Sequence, residues 1–194
     1  NFNEKDSSYF TEPAKSEPTI RQLLIHTSGI DYAGIGSKEG KAIFAKAGVP
    51  SGIGNHQGLL ADKMKILAKL PLKHHPGERY TYGLNTDVLG YLVEIWSGQS
   101  LDQFFKTRIF APLGMNDTYF YLPKEKHSRL VALYETKDGK LVQPSGYIYD
   151  GAQPNYPTLA GTYYSGGAGL SSTIEDYAKF LQLFINGGIY NGKR

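Results

Sequence analysis

Three kinds of residue in this 194-residue chain could carry chemistry: histidines, glycine-rich loops and an unusual number of tyrosines. His74 and His75 are adjacent, so in an extended stretch their rings point to opposite sides, and no carboxylate or third histidine stands at ligand spacing. They read as a solvated turn, and no metal site is expected. His26 lies in Leu24-Ile25-His26-Thr27-Ser28-Gly29, at the end of an expected helix, where an imidazole can satisfy the last carbonyls. A structural role is expected there too. The loops Gly34-Ile35-Gly36 and Gly52-Ile53-Gly54 each miss the dinucleotide spacing by one residue. Gly187 to Lys193 follows the phosphate-loop spacing, but Arg194 stands where a magnesium-binding hydroxyl is needed, and a helix rather than a strand precedes it. There is no Gly-x-Ser-x-Gly elbow and no His-Glu-x-x-His. Zero cysteines exclude a thiolate nucleophile, a thiolate zinc site and a disulfide framework. On residue type alone, Tyr82 is one tyrosine among 15.

Whatever chemistry the chain has must be positioned mainly by helices. Thr19 can cap a first helix with Ile20, Leu23 and Leu24 on one face and Gly29 as its stop. Ser37 to Ala47 follows, with Ile43, Phe44 and Ala47 inward, and then Leu59 to Leu70, closed by Pro71, with Leu59, Leu60, Met64, Leu67 and Leu70 at helical spacing. Asp87 to Trp96 places Val88, Leu89, Leu92, Val93 and Trp96 on one stripe, predicting a buried helix ended by Gly98. Ser100 caps another, with Leu101, Phe104, Phe105 and Ile109 inward and Ala111-Pro112-Leu113-Gly114 terminating it. A last helix starts at Ser172 or Thr173 and runs through Tyr177, Phe180, Leu181, Phe184 and Ile185 to Gly187-Gly188. Strands are few: Leu130 to Tyr134 and Lys140 to Val142 flank Lys137-Asp138-Gly139, a hairpin signal. Asn1 to Pro18 reads as a polar lead-in, and Gln143 to Gly169 as a long Pro- and Gly-rich loop of the kind that is more often functional than idle.

With 40% hydrophobic and 20% charged residues, the chain can bury one sizeable core, and residues 1–194 are expected to form a single domain. No apolar run approaches the roughly 20 residues of a membrane helix, so no membrane span is expected. A net charge of +3, from 21 basic and 18 acidic residues without a basic run, gives no footprint for nucleic acid. The first residue is not Met, which suggests a processed protein or an excised piece.

One constellation rises above this background. Thr19 to Ile30 resembles the "TIRHLLTHTSGL" segment of the serine β-lactamase-like family, which holds class C β-lactamases, penicillin-binding proteins and related esterases. Pro76 to Glu94 resembles its "PG..W.YS...DVLGYLVE" stretch. Ser97 to Leu101, Ile109 to Thr118, and Ser165 to Thr173 with Asn186-Gly187-Gly188 resemble its later blocks, so five blocks in order cover most of Thr19 to Gly188. The resemblance implies an α+β fold, of which this chain is the mainly helical middle portion with one small β-hairpin. It also implies acyl transfer through a serine ester, with a Ser-x-x-Lys pair and a tyrosine that shuttles the proton. Tyr82 matches that tyrosine. A phenol, with an ordinary pKa of about 10, serves as a base near neutrality only where a cation favours its phenolate, and the family's lysine supplies that charge.

The departures are equally informative. No Ser-x-x-Lys occurs, nor the Lys-Thr-Gly strand that completes the family's oxyanion hole; both lie outside the matching blocks, before the first and after the last. The chain alone is therefore expected to be inactive, its partners being the remaining segments of a parent catalytic domain and a small-molecule or peptide acyl substrate. No cofactor is implied. The family's substrate-binding asparagine falls two residues after the tyrosine, where this chain has Leu84, with Asn85 one further on; these two are the candidate substrate-binding residues. That pattern looks more like the esterase and transesterase branch than a dedicated β-lactamase. A non-catalytic, penicillin-binding-protein-like sensor module is the alternative, and the resemblance favours a periplasmic or secreted location.

Overall fold

The computed structural model describes residues 2–3, 5–6, 8–148 and 151–192. Lys193 and Arg194, on which the phosphate-loop comparison turned, lie outside the described residues. The first helix begins where the Thr19 hydroxyl was expected to cap it. Before α1 (Ile20–Leu24), the Thr19 hydroxyl accepts the Gln22 N–H at 3.2 Å while the Gln22 side chain accepts the Thr19 N–H at 2.8 Å, a reciprocal capping box. Ser37 caps α2 (Lys38–Ala47), which buries Ile43 and Phe44. Then come α3 (Leu60–Leu67), burying Leu60, Met64 and Leu67, and α4 (Asn85–Ser97), which stops at the left-handed Gly98.

Ser100 precedes α5 (Leu101–Phe105) but does not cap it; the Glu94 carboxylate accepts the Leu101 N–H at 3.0 Å instead and ties α4 to α5. One π-helical turn, Lys106–Phe110, joins α5 to α6 (Ala111–Leu113), where Pro112 has no N–H to continue an ordinary helix. Thr173 caps α7 (Ile174–Ile185). The strands form two antiparallel hairpins: β1 (Phe2–Asn3) with β2 (Ser8–Tyr9), and β3 (Glu135–Lys137) with β4 (Lys140–Val142). The second turns on Asp138 and Gly139, both at positive φ, the geometry a two-residue hairpin needs. The fold class is α+β, as expected.

Several expectations need correction. Among the described residues there are two hairpins rather than one, and the lead-in is not idle, since Phe2 packs against the main core. The strand before Asp138 is Glu135–Lys137, not Leu130 to Tyr134. α1 ends well before Gly29, because His26 adopts a left-handed φ of 55°; Leu23 is buried, whereas Ile20 and Leu24 are exposed. On α4 the fully buried positions are Asn85, Asp87 and Gly90, while the apolar stripe is half-buried and Trp96 is 66% exposed. A side chain at Gly90 would press on Leu101 and on the Gly166 backbone, so the helix is sunk at its polar N-terminal end and surfaces toward Trp96. On α7, Phe180 and Leu183 pack against a small cluster of Phe110, Leu113 and Met115, but Tyr177, Leu181, Phe184 and Ile185 are exposed. The main core gathers Leu23, Tyr32, Phe44, Leu60, Leu84, Leu101 and Tyr163, directly beneath the segment that carries Tyr82. Among the described residues, no helix is long and apolar enough to cross a membrane.

Candidate active site

Residues 73–84 have no regular structure, yet they are laced to residues 26–31 by backbone hydrogen bonds. The N–H groups of Lys73, Gly77, Thr81 and Leu84 donate to the carbonyls of Gly29, Thr27, His26 and Asp31 at 2.8, 2.7, 2.8 and 3.2 Å. Gly77 makes a turn at φ 86°. Thr81 then faces inward, its hydroxyl 2.9 Å from His74 Nε2, while Tyr80 and Tyr82 emerge on the opposite side. His74 is buried, with Nδ1 donating to the His75 carbonyl at 2.8 Å, so His74 is an internal brace where a solvated turn was expected, while His75 stays at the surface, 3.2 Å from the exposed Glu12 carboxylate. Gly83 has no room for a side chain: a Cβ would run into the Ile30 carbonyl oxygen.

Tyr82 is clamped on both faces. Its ring stacks on His26 with centroids 4.9 Å apart and an interplanar angle of 21°, and on Tyr32 at 5.5 Å and 12°. Tyr80 leans on the His26 ring at 5.9 Å. Tyr82 is 48% exposed, and among the described residues its hydroxyl has no hydrogen-bond partner. The ring plane is fixed while the hydroxyl stays open to a reacting group, which is the geometry a proton-transferring phenol requires.

Behind the ring lies a directed hydrogen-bond chain. The Ile30 N–H donates to Ser28 Oγ at 3.1 Å, the Ser28 hydroxyl to Asn85 Oδ1 at 2.5 Å, and the Asn85 amide to His26 Nδ1 at 3.0 Å. The Gly83 N–H points at the same ring nitrogen from 3.4 Å. Burial lowers the His26 pKa below its ordinary value. Asn85 and Leu84 are completely buried, so neither side chain is open to a substrate in this structure; Leu84 belongs to the core and Asn85 to this chain. Of the three residues chosen from sequence, Tyr82 alone faces outward. His26, expected to cap helix carbonyls, instead accepts hydrogen bonds from residues 57 and 59 positions away, a pairing that no local spacing encodes.

The start of α4 is fixed from the other side by Asp87. Its carboxylate accepts the Ser165 hydroxyl at 2.7 Å, and Ser165 Oγ accepts the Gly167 and Ala168 N–H groups at 3.2 and 3.1 Å, which seats the glycine-rich turn on the helix end. Burial raises the Asp87 pKa, opposed by its hydrogen bonds from Ser165 and the glycine backbone.

The Beta-lactamase family model matches residues 6–194. Protein Rv1367c of Mycobacterium tuberculosis is 34% identical over 184 residues, spanning 95% of this chain and 43% of that protein. Esterase EstB of Burkholderia gladioli is 32% identical over 183 residues, spanning 86% of this chain and 45% of the esterase. Among solved structures, EstCE1, described as a hydrolase with promiscuous acyltransferase activity, superposes with a TM-score of 0.77 at 27% identity over 91% of this chain and 48% of its own. The chain thus spans less than half the length of these relatives. With a family match running through both segments that clamp Tyr82, the chain belongs to the Beta-lactamase family.

Proposed function

We propose that this chain forms the tyrosine side of the active site of an acyl-serine hydrolase or acyltransferase, with Tyr82 as the proton shuttle and a carboxylic ester as its acyl donor. The observation that carries this reading is the Tyr82 clamp: a half-exposed phenol, fixed on both ring faces, whose hydroxyl has no partner among the described residues. The ester preference is supported by Leu84 at the place of the family's substrate-binding asparagine and by the likeness to a protein named an esterase. The nucleophilic serine, its lysine and the oxyanion strand come from segments outside this sequence. The lysine supplies the positive charge that lets a phenol accept the serine proton, and Tyr82 then returns that proton to the leaving alcohol.

In the full-length gene product, Tyr82→Phe should lower kcat for a p-nitrophenyl ester by roughly 10² to 10⁴, as for loss of a general acid–base, with folding little changed. Tyr80→Phe, altering a ring on the same side, should do much less. Equal activity of wild type and Tyr82→Phe overturns the assignment. The 194-residue chain alone should neither hydrolyse p-nitrophenyl acetate or a chromogenic cephalosporin above a buffer blank nor form an adduct with labelled penicillin, since loss of the nucleophile costs on the order of 10⁶ in rate. A stoichiometric adduct on any of its serines would contradict this.

A further inference from the structure

We infer that His26 is the positioning residue for Tyr82, acting as a neutral ring protonated on Nε2 and held by the Ile30–Ser28–Asn85 hydrogen-bond chain. The polarity of that chain allows one direction only. A backbone N–H can only donate, so the Gly83 N–H on His26 Nδ1 fixes that ring nitrogen as an acceptor, and the end of the Asn85 amide that meets it is the NH2 group. The other end, Oδ1, then receives the Ser28 hydroxyl hydrogen, while Ser28 Oγ accepts from the Ile30 N–H. The ring nitrogen facing two donors, from Asn85 and Gly83, must offer its lone pair, and the ring proton resides on Nε2. A proton on Nδ1 would set an N–H against both donors. Burial of His26 disfavours the charged ring in the same direction.

The backbone agrees. Among the described residues His26 is one of three non-glycine residues at positive φ, a conformation that L-residues adopt uncommonly. It is sustained by the Thr81 N–H on the His26 carbonyl and by the His26 N–H on the Leu23 carbonyl. Strain of this kind, over-determined by its surroundings, clusters at functional sites. Here it brings the ring onto the exposed side of Tyr82, whose other face rests on the buried Tyr32. Without the imidazole, one face of Tyr82 opens to water and the phenol can swing away from its line of attack.

The inference rests on the reading of Tyr82 as proton shuttle, and the experiment separates the two. Histidine-labelled 15N NMR of the full-length gene product at neutral pH should show His26 as the Nε2–H tautomer. Asn85→Asp, which replaces the donor by an acceptor of the same shape, should move the proton to Nδ1. In the full-length gene product, His26→Asn, which tolerates the left-handed backbone, and Asn85→Asp should each lower kcat for a p-nitrophenyl ester by roughly 10- to 100-fold, the scale of a small misplacement, with KM within about threefold. A wild-type His26 carrying its proton on Nδ1, or charged, overturns the inference even if neither variant folds. Full kcat in folded His26→Asn alongside an inactive Tyr82→Phe overturns it while sparing the tyrosine. Full activity of Tyr82→Phe removes the shuttle itself and leaves the tautomer to stand or fall on its spectrum.

Discussion

Residues 73–84 and residues 130–148 are two stretches of mostly irregular chain with opposite fates. The first is fastened to residues 26–31 by four backbone hydrogen bonds and overlies the main core. The second is an arm built around the β3–β4 hairpin; among the described residues 131–147 no hydrogen bond leaves the arm, and Val131, Leu141 and Tyr147 are each at least 74% exposed. Irregular backbone can therefore be as well determined as a helix when its amides are satisfied over long range, and regular pairing alone does not anchor an element. A catalytic phenol belongs on the first kind of segment, because its orientation must survive thermal motion.

The contrast predicts where substitutions hurt. The largest effect should come from Gly83→Ala. Its new Cβ meets the backbone oxygen of Ile30, which cannot move without loosening the loop, so a loss of roughly 2–3 kcal/mol, the upper part of the overpacking range, is expected in urea unfolding. Next is Ser28→Ala, which leaves the buried Ile30 N–H and the Asn85 oxygen without their partner and should cost about 1–3 kcal/mol. A Ser28→Ala protein as stable as wild type would show that the chain behind His26 is not structural.

Much of this architecture was legible in the sequence, and the parts that were not have a common cause. Thr19, Ser37 and Thr173 announced helix starts because a cap is a local contact, and Asp138-Gly139 announced a turn for the same reason. Tyr82 was found through a motif. Glu94 as the cap of α5, and His26 and Asn85 as partners, were illegible because each pairing is made in three dimensions. The apolar stripes of α4 and α7 misled in another way. Periodicity identifies a face without saying what covers it, and on α4 the buried end proved to be the polar one, where Asn85 and Asp87 have specific acceptors and donors.

A smaller effect comes from the His26 ring itself. Its pKa is lowered in the folded state from an ordinary 6.5, so the unfolded chain binds its proton more readily. Its contribution to stability is complete above about pH 6.5 and is lost as the pH falls below that value toward the folded-state pKa. The urea midpoint of wild type should accordingly fall more between pH 7.5 and pH 5.5 than that of His26→Asn. Parallel falls would mean that the imidazole is not held neutral.

The smallest effect belongs to the arm. Leu141 lies on β4 with 74% of its surface in water, so Leu141→Ser removes little buried apolar area. The same substitution at the comparably apolar but completely buried Leu84 would forfeit a full transfer free energy and insert a hydroxyl with no partner in the core. Because β3 and β4 pair through backbone groups, the register Glu135–Val142, Thr136–Leu141 and Lys137–Lys140 does not depend on that side chain. Leu141→Ser should therefore change unfolding stability by no more than about 0.5 kcal/mol, the range of an exposed substitution. A loss above about 1.5 kcal/mol, the lower bound for burying a leucine, would mean that the arm is packed in solution and that its contrast with the Tyr82 segment does not hold.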